Sequence, residues 1–222
     1  MNFELVQRLE IIKTAAVGKS VLHLGCTNHP YTKEAIDADM LLHDSLSAVA
    51  KEVYGFDMDQ EGIDLLSELG NENLYLADLE KLGEVELDKQ FDLVIAGEMI
   101  EHLNNPGLFL EGIKKFLKPE GELLITTINA YCAVRFLQYG LRGKGGSIEP
   151  VHPDHVAYYS FRTLSLLLDR HGYLIDEFLF YDIGIDHRPH NPWYINFAND
   201  VSVKISKQLA DGIIAFAKLK DE

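Results

Sequence analysis

The chain has 222 residues, 47% apolar and 25% charged, the composition of a globular protein with one core, which excludes disordered, collagen-like and coiled-coil readings. With 35 acidic residues against 20 basic ones the net charge is −15, a field that repels phosphate backbones and anionic membranes and so excludes charge-driven nucleic-acid binding. No apolar run reaches the roughly 18–20 residues of a membrane helix, Glu4 and Glu10 interrupt the N-terminus where a secretory signal is apolar, and Cys26 and Cys132 offer no disulfide framework; a single cytoplasmic domain over 1–222 is expected.

Leu5, Leu9 and Ile12 mark an opening helix. A first strand is expected at 21–24, ending at Gly25, and a second at 53–56, ending at Asp57. Asp59 reads as the cap of a helix with Ile63, Leu66 and Leu69 on one face and Gly70 as its stop. A third strand at 74–77 stops at Asp78, and a fourth covers 91–96. Asn105-Pro106 reads as cap and first residue of a helix burying Phe109, Leu110, Ile113, Phe116 and Leu117. The run Lys118-Pro119-Glu120-Gly121 breaks it before a fifth strand at 122–127. Ser160 starts another helix, with Leu164, Leu167, Leu168 and His171 on one side and Gly172 at its end; 174–181 and 212–218 are further strands. This alternation implies an α/β fold, a mostly parallel sheet with helices on both faces. Two stretches lack a period: 130–156, with Gly140, Gly143, Gly145 and Gly146, and 182–194, with His187, Arg188 and Trp193. Both are expected to be lid or acceptor-side insertions.

In an open α/β sheet, ligands sit beyond the carboxyl ends of the strands. Asp57, Asp78 and Glu98 finish or follow three strands and would gather on one edge. The oxygen pair of Asp57 matches a ribose diol, and Asp78 can accept from an exocyclic amine. The plainer reading is that such aspartates cap the next turn. A dinucleotide site fits poorly, because the loop 25–32 holds a single glycine and Asp57 lies 32 residues beyond Gly25 where about 20 are expected.

Taken in order, these segments resemble the class I S-adenosylmethionine-dependent methyltransferases. Val-Leu-His-Leu-Gly-Cys at 21–26 resembles the first family motif, placing His23, Gly25 and Cys26 at the cofactor. Val-Tyr-Gly-Phe-Asp-Met-Asp at 53–59 is similar to the second, with Asp57 on the ribose and Met58 beside it. Leu-Tyr-Leu-Ala-Asp-Leu at 74–79 resembles the adenine segment, implying Asp78 and Leu79. The stretch 91–103, with Glu98, Glu101 and His102, resembles the Glu-His type found in small-molecule and ubiquinone-pathway members, and 117–129 the turn and strand that follow. The resemblance implies a Rossmann-like seven-stranded sheet, mostly parallel with the last strand antiparallel, and S-adenosylmethionine as cofactor.

The expected reaction is methyl transfer to a small-molecule acceptor at a hydroxyl oxygen. His102 is the first candidate base and His155 the second, each weighed against a structural role. The spacing Glu98-x-x-Glu101-His102 could hold a divalent cation, but no metal is expected: Glu98 belongs by the cofactor, and Glu101 orients a neighbouring segment. Tyr131, Phe136, Tyr139, Tyr158, Tyr159, Trp193 and Tyr194, interleaved with Arg135, Arg142 and His155, suit a sugar, a phenol or an anion, although most of the aromatics are expected to pack. No nucleic-acid or membrane-inserted partner is expected, and a homodimer is left open. Family members carry an acid at the place of His23 and glycines at those of Thr27 and His29, so a second reading stands: a non-catalytic binding or regulatory module with a degenerate cofactor loop. A His29 or Tyr31 side chain filling the cofactor space would favour it.

Overall fold

The computed structural model describes residues 4–140, 155–185 and 188–220, so Arg142, Gly143, Gly145, Gly146 and His187 lie outside the described residues. Eight strands form one sheet: β1 (Leu5–Val6), β2 (Ser20–Leu24), β3 (Glu52–Asp57), β4 (Leu74–Leu76), β5 (Phe91–Gly97), β6 (Leu117–Ile128), β7 (Tyr173–Tyr181) and β8 (Gly212–Leu219), in the order β1-β7-β8-β6-β5-β2-β3-β4. Only β8 runs against its neighbours. The helices are α1 (Arg8–Ala16), α2 (Thr32–Asp37), α3 (Leu42–Ser47), α4 (Gln60–Glu68), α5 (Pro106–Ile113), α6 (Ala133–Arg135), α7 (Phe161–Arg170) and α8 (Trp193–Ile205).

Strand alternation divides the core. Leu22, Leu24, Val94, Ala96, Leu123 and Ile125 pack with Phe109, Leu110 and Ile113 of α5 and Leu164 and Leu168 of α7. Val21, Leu93, Ile95 and Leu124 pack with Ile12 and Ala16 of α1 and Leu46 of α3. This is the period of two expected of strands covered on both faces. The Ser160 helix starts as expected, with a capping box to Thr163, and Gly172 beyond its end takes φ +79°.

Several expectations need correction. The sheet has eight strands rather than seven, because Leu5 and Val6 pair with Phe180 and Tyr181; the opening helix therefore begins only at Arg8. Asp59 and Asn105 occupy cap positions without capping through their side chains. Asp59 faces His29 at 3.3 Å, and Asn105 donates to Glu80 Oε2 at 2.8 Å. The 118–121 segment lies inside β6, since Leu117 already pairs with Phe91 before the register shifts. Helices α2 and α3, and the 13-residue α8 beginning within the stretch read as irregular, were not foreseen.

Candidate active site

The carboxyl ends of β2, β3, β4 and β5 meet at a cleft of about 610 Å³ lined by Gly25, Asp57, Asp78, Glu98, Met99 and His102, within the usual size of ligand sites. Gly25 closes β2 with φ +75°, the left-handed region that favours glycine, and a Cβ there would lie 3.0 Å from Met99 Cγ. Asp57, Asp78 and Glu98 thus share one cleft, as expected. Met58 stands exposed on the rim, while Leu79 is buried beneath it.

The aspartates also do structural work. Asp57 Oδ2 accepts from Thr27 N at 3.0 Å and Thr27 Oγ1 at 2.9 Å, and Oδ1 accepts from Asp59 N at 3.0 Å. Asp78 Oδ1 accepts from Glu80 N at 3.0 Å, capping a 3-10 turn, and Oδ2 pairs with Lys81 at 2.9 Å. The Lys81 bond, with the Glu80 amide, holds the Asp78 carboxyl below its ordinary range. The same side chains that hold these turns also border the cleft.

Thr27 fits because α4 offers a glycine opposite: a Cβ on Gly62 would lie 2.6 Å from Thr27 Cβ and would also meet Asp59 Oδ2. His29 and Tyr31 are exposed and border the cavities, His29 the 610 Å³ cleft and Tyr31 a second one. That second cavity, of about 360 Å³, is lined also by Arg8, His23, Gly25, Cys26 and Glu98. Both cavities stay open with the bulky loop in place. His23 lies buried against His43, with Nδ1 atoms 3.3 Å apart. Burial and then the neighbouring His43 push His23 well below the usual imidazole range, and burial pushes His43 down to about 4, so both rings are neutral at pH 7. Burial, then Asp57, pushes the Cys26 thiol up; it is an inert wall.

Glu98 joins the two cavities and a third of about 330 Å³ that reaches Tyr181, Asp182 and Asp211. Its φ of +52° is left-handed, a strained setting for a non-glycine residue that tends to mark functional positions. Thr126 holds it, accepting Glu98 N at its carbonyl (2.9 Å) and donating Oγ1 to Oε1 at 3.1 Å, and Tyr181 donates to Oε1 at 2.8 Å. Sequence reasoning missed Arg8. It lines two of these cavities, and among the described residues no hydrogen bond or ion pair involves its guanidinium. Position in the sequence carries no signal for it; the β1–β7 pairing places it there.

His102 and His155 come together with ring centroids 4.6 Å apart. Val156 N and Ala157 N both donate to the Glu101 carbonyl, at 2.9 and 3.2 Å, which fixes the incoming segment beside the short turn Ile100–His102. The Glu101 side chain is fully buried: Oε2 accepts from Thr127 Oγ1 at 2.8 Å, and Oε1 lies 4.0 Å from His155 Nε2. Burial, reinforced by the Glu98 carboxylate, pushes Glu101 up to about 8, so it holds a proton at neutral pH. Glu101, His102 and His155 bring ligand atoms within 4.8 Å of one another and could hold a cation. Glu98, turned toward Thr126 and Tyr181, is not in that group, so the Glu98-x-x-Glu101-His102 set does not form as spaced. Arg135 is occupied by Asp211 at 3.0 Å. Tyr159 is buried as expected, but Tyr131, Phe136, Tyr158, Trp193 and Tyr194 stand exposed.

A family profile described as a methyltransferase domain matches residues 2–177, most of the chain. The chain belongs to the methyltransferase domain family. The solved structures that share its fold include S-adenosylmethionine-dependent methyltransferases. The ubiquinone biosynthesis O-methyltransferase of Proteus mirabilis is 29% identical over 116 residues, covering 50% of this chain and 43% of the relative; the chain spans less than half the length of that relative. A putative methyltransferase from Bacillus halodurans shares the fold with a TM-score of 0.60 at 15% identity, covering 96% of this chain and 99% of the other. A SAM-dependent methyltransferase from Archaeoglobus fulgidus does so with a TM-score of 0.58 at 17% identity, covering 95% and 94%. Among the described residues no helix of this methyltransferase-family chain is long and apolar enough to cross a membrane.

Proposed function

We propose that this chain transfers the methyl group of S-adenosylmethionine to a hydroxyl oxygen of a small molecule, with His102 as general base. The observation that carries the reading is that His102 lines the same cleft as Asp57, Asp78 and Glu98, so a proton acceptor stands beside the groups suited to an adenosine. The match to ubiquinone biosynthesis O-methyltransferases supports oxygen as the acceptor atom.

When bound, the cofactor supplies an electrophilic methyl on sulfur. The chain's own contribution is placement, which can lower a barrier by up to about 7–11 kcal/mol in ideal cases. Asp57 accepts from the ribose, Asp78 and Leu79 border the base, and Gly25 lets the backbone approach. His23 and Cys26 wall the cavity suited to the amino-acid end, and Arg8 faces its carboxylate. His102 takes the acceptor's proton as its oxygen attacks, and His155 packs edge-on against that imidazole and holds its orientation. Glu101, kept neutral by burial, adds no second negative charge beside Glu98. The reading includes one domain in a reducing cytoplasm that suits two buried free thiols.

The test is incubation of the purified chain with S-adenosylmethionine and a panel of phenols, catechols and sugars, scoring S-adenosylhomocysteine by mass spectrometry. Product that depends on an acceptor hydroxyl and is lost in His102→Ala supports the reading. Turnover only with amine acceptors would replace oxygen by nitrogen.

A further inference from the structure

A free carboxylate has about four lone-pair sites, enough to take both hydroxyls of a ribose. In this chain three of those on Asp57 are already filled. Thr27 fills two on Oδ2, through its amide at 3.0 Å and its hydroxyl at 2.9 Å, and the Asp59 amide fills one on Oδ1 at 3.0 Å. The clamp is permanent on packing grounds. Thr27 is fully buried, and its methyl side occupies the room that Gly62 leaves open, where any Cβ would lie 2.6 Å from Thr27 Cβ. Asp57 itself is half-buried and borders the 610 Å³ cleft, so the remaining site, on Oδ1, is the one a ligand can use.

We propose that Thr27 is a specificity-determining residue that turns Asp57 into a one-hydroxyl acceptor, so that only one of the cofactor's two ribose hydroxyls is held by this carboxylate. The proposal rests on the cofactor reading above and refines it. A carboxylate free on both oxygens would read the diol as a unit, whereas a clamped one reads a single position and tolerates change at the other. Thr27 thereby substitutes for glycine in the loop without closing the site, at the cost of one contact to the ribose.

The experiment is calorimetric titration of the full chain with S-adenosylhomocysteine and with its 2′-deoxy and 3′-deoxy forms, for the wild type, Thr27→Ala and Thr27→Ser. In the wild type, one deoxy form is expected to bind about 10-fold or more weakly and the other within about 2-fold of the parent. Thr27→Ala removes the hydroxyl and vacates its place beside Oδ2, so both deoxy forms should then lose about 10-fold relative to that variant's own affinity for the parent. Thr27→Ser should keep the wild-type pattern. Equal losses for both deoxy forms in the wild type, or no loss for either, overturn the proposal, as does an unchanged pattern in Thr27→Ala. Absence of binding by the parent ligand to a folded wild type is a different result: it removes the cofactor reading itself.

Discussion

Tyr181, at the end of β7, donates its hydroxyl to Glu98 Oε1 at 2.8 Å, reaching across β8 and β6 to the end of β5. It can do so because β8 begins with glycine: a Cβ on Gly212 would fall within the Tyr181 ring. Burial, then Glu98, holds the phenol well above its usual range, so it remains a donor. The site-facing conformation of Glu98 therefore depends on a residue 83 positions away and on a third that contributes only by lacking a side chain.

Gly212→Ala should displace that ring and destabilise the fold by about 1–3 kcal/mol, as overpacking does. Tyr181→Phe, which loses only the hydrogen bond, should cost about 1 kcal/mol. In a Tyr181→Ala background the Gly212→Ala penalty should largely vanish, because the two share one space. Denaturant midpoints of the four chains measure this coupling, and additive effects would contradict it.

The proton on Glu101 has a consequence for stability against pH. Its folded value of about 8 stands above the ordinary 4.5. Between those values the unfolded chain has released the proton while the native chain retains it, so this group's contribution falls as pH rises from about 5 to 8. Below pH 4.5 both states hold the proton and the slope disappears. Glu101→Gln removes the titration, so the variant's stability relative to wild type should grow from pH 5 to pH 8, by on the order of a few kcal/mol. Parallel urea-unfolding curves across that range would show that Glu101 is ionised in the fold.

His102→Ala should lower kcat about 100-fold or more, the usual scale of a lost general base, while S-adenosylhomocysteine affinity stays within about 2-fold. A comparable loss of affinity would make His102 part of the cofactor wall instead. Steady-state kinetics alongside calorimetry separates the two.

Arg8 faces the cavity assigned to the amino-acid end. Arg8→Gln should weaken S-adenosylhomocysteine binding about 10-fold, the scale of a lost charge-assisted hydrogen bond. Binding of methylthioadenosine, which has no carboxylate, should be unchanged. Equal weakening of both ligands would place Arg8 at the adenosine instead.

Much of the layout was legible before any coordinates, because strands covered on both faces must be apolar and must end where polar residues begin. Leu22, Leu24, Val94 and Ile125 sit where their periodicity places them, Gly25 and Asp57 close their strands as read, and Asp78 follows β4 one residue later than expected, because the strand stops at Leu76. The first two strand-end carboxylates and Glu98 share one cleft for the same reason: parallel strands end on one edge. The eighth strand was not legible, since a two-residue segment such as Leu5–Val6 has no period of its own and becomes a strand only by pairing with β7.

The sequence by itself determined which residues could serve: the order of the seven longer strands with the helices α1, α4, α5 and α7, the aspartates and Glu98 at the strand ends, and the Glu-His pair that follows β5. Those are local properties, set by hydrophobic spacing and by residue chemistry. Only the tertiary structure decided what each one faces. Thr27 claims Oδ2 of Asp57 because Gly62 leaves it room, Tyr181 and Thr126 claim Glu98, and His155 reaches His102 through two backbone bonds to Glu101. Arg8 reaches the cavities because β1 joins the far edge of the sheet. Hydrogen-bond capacity and side-chain volume are shared between segments distant in the chain, and no local pattern records how they are divided.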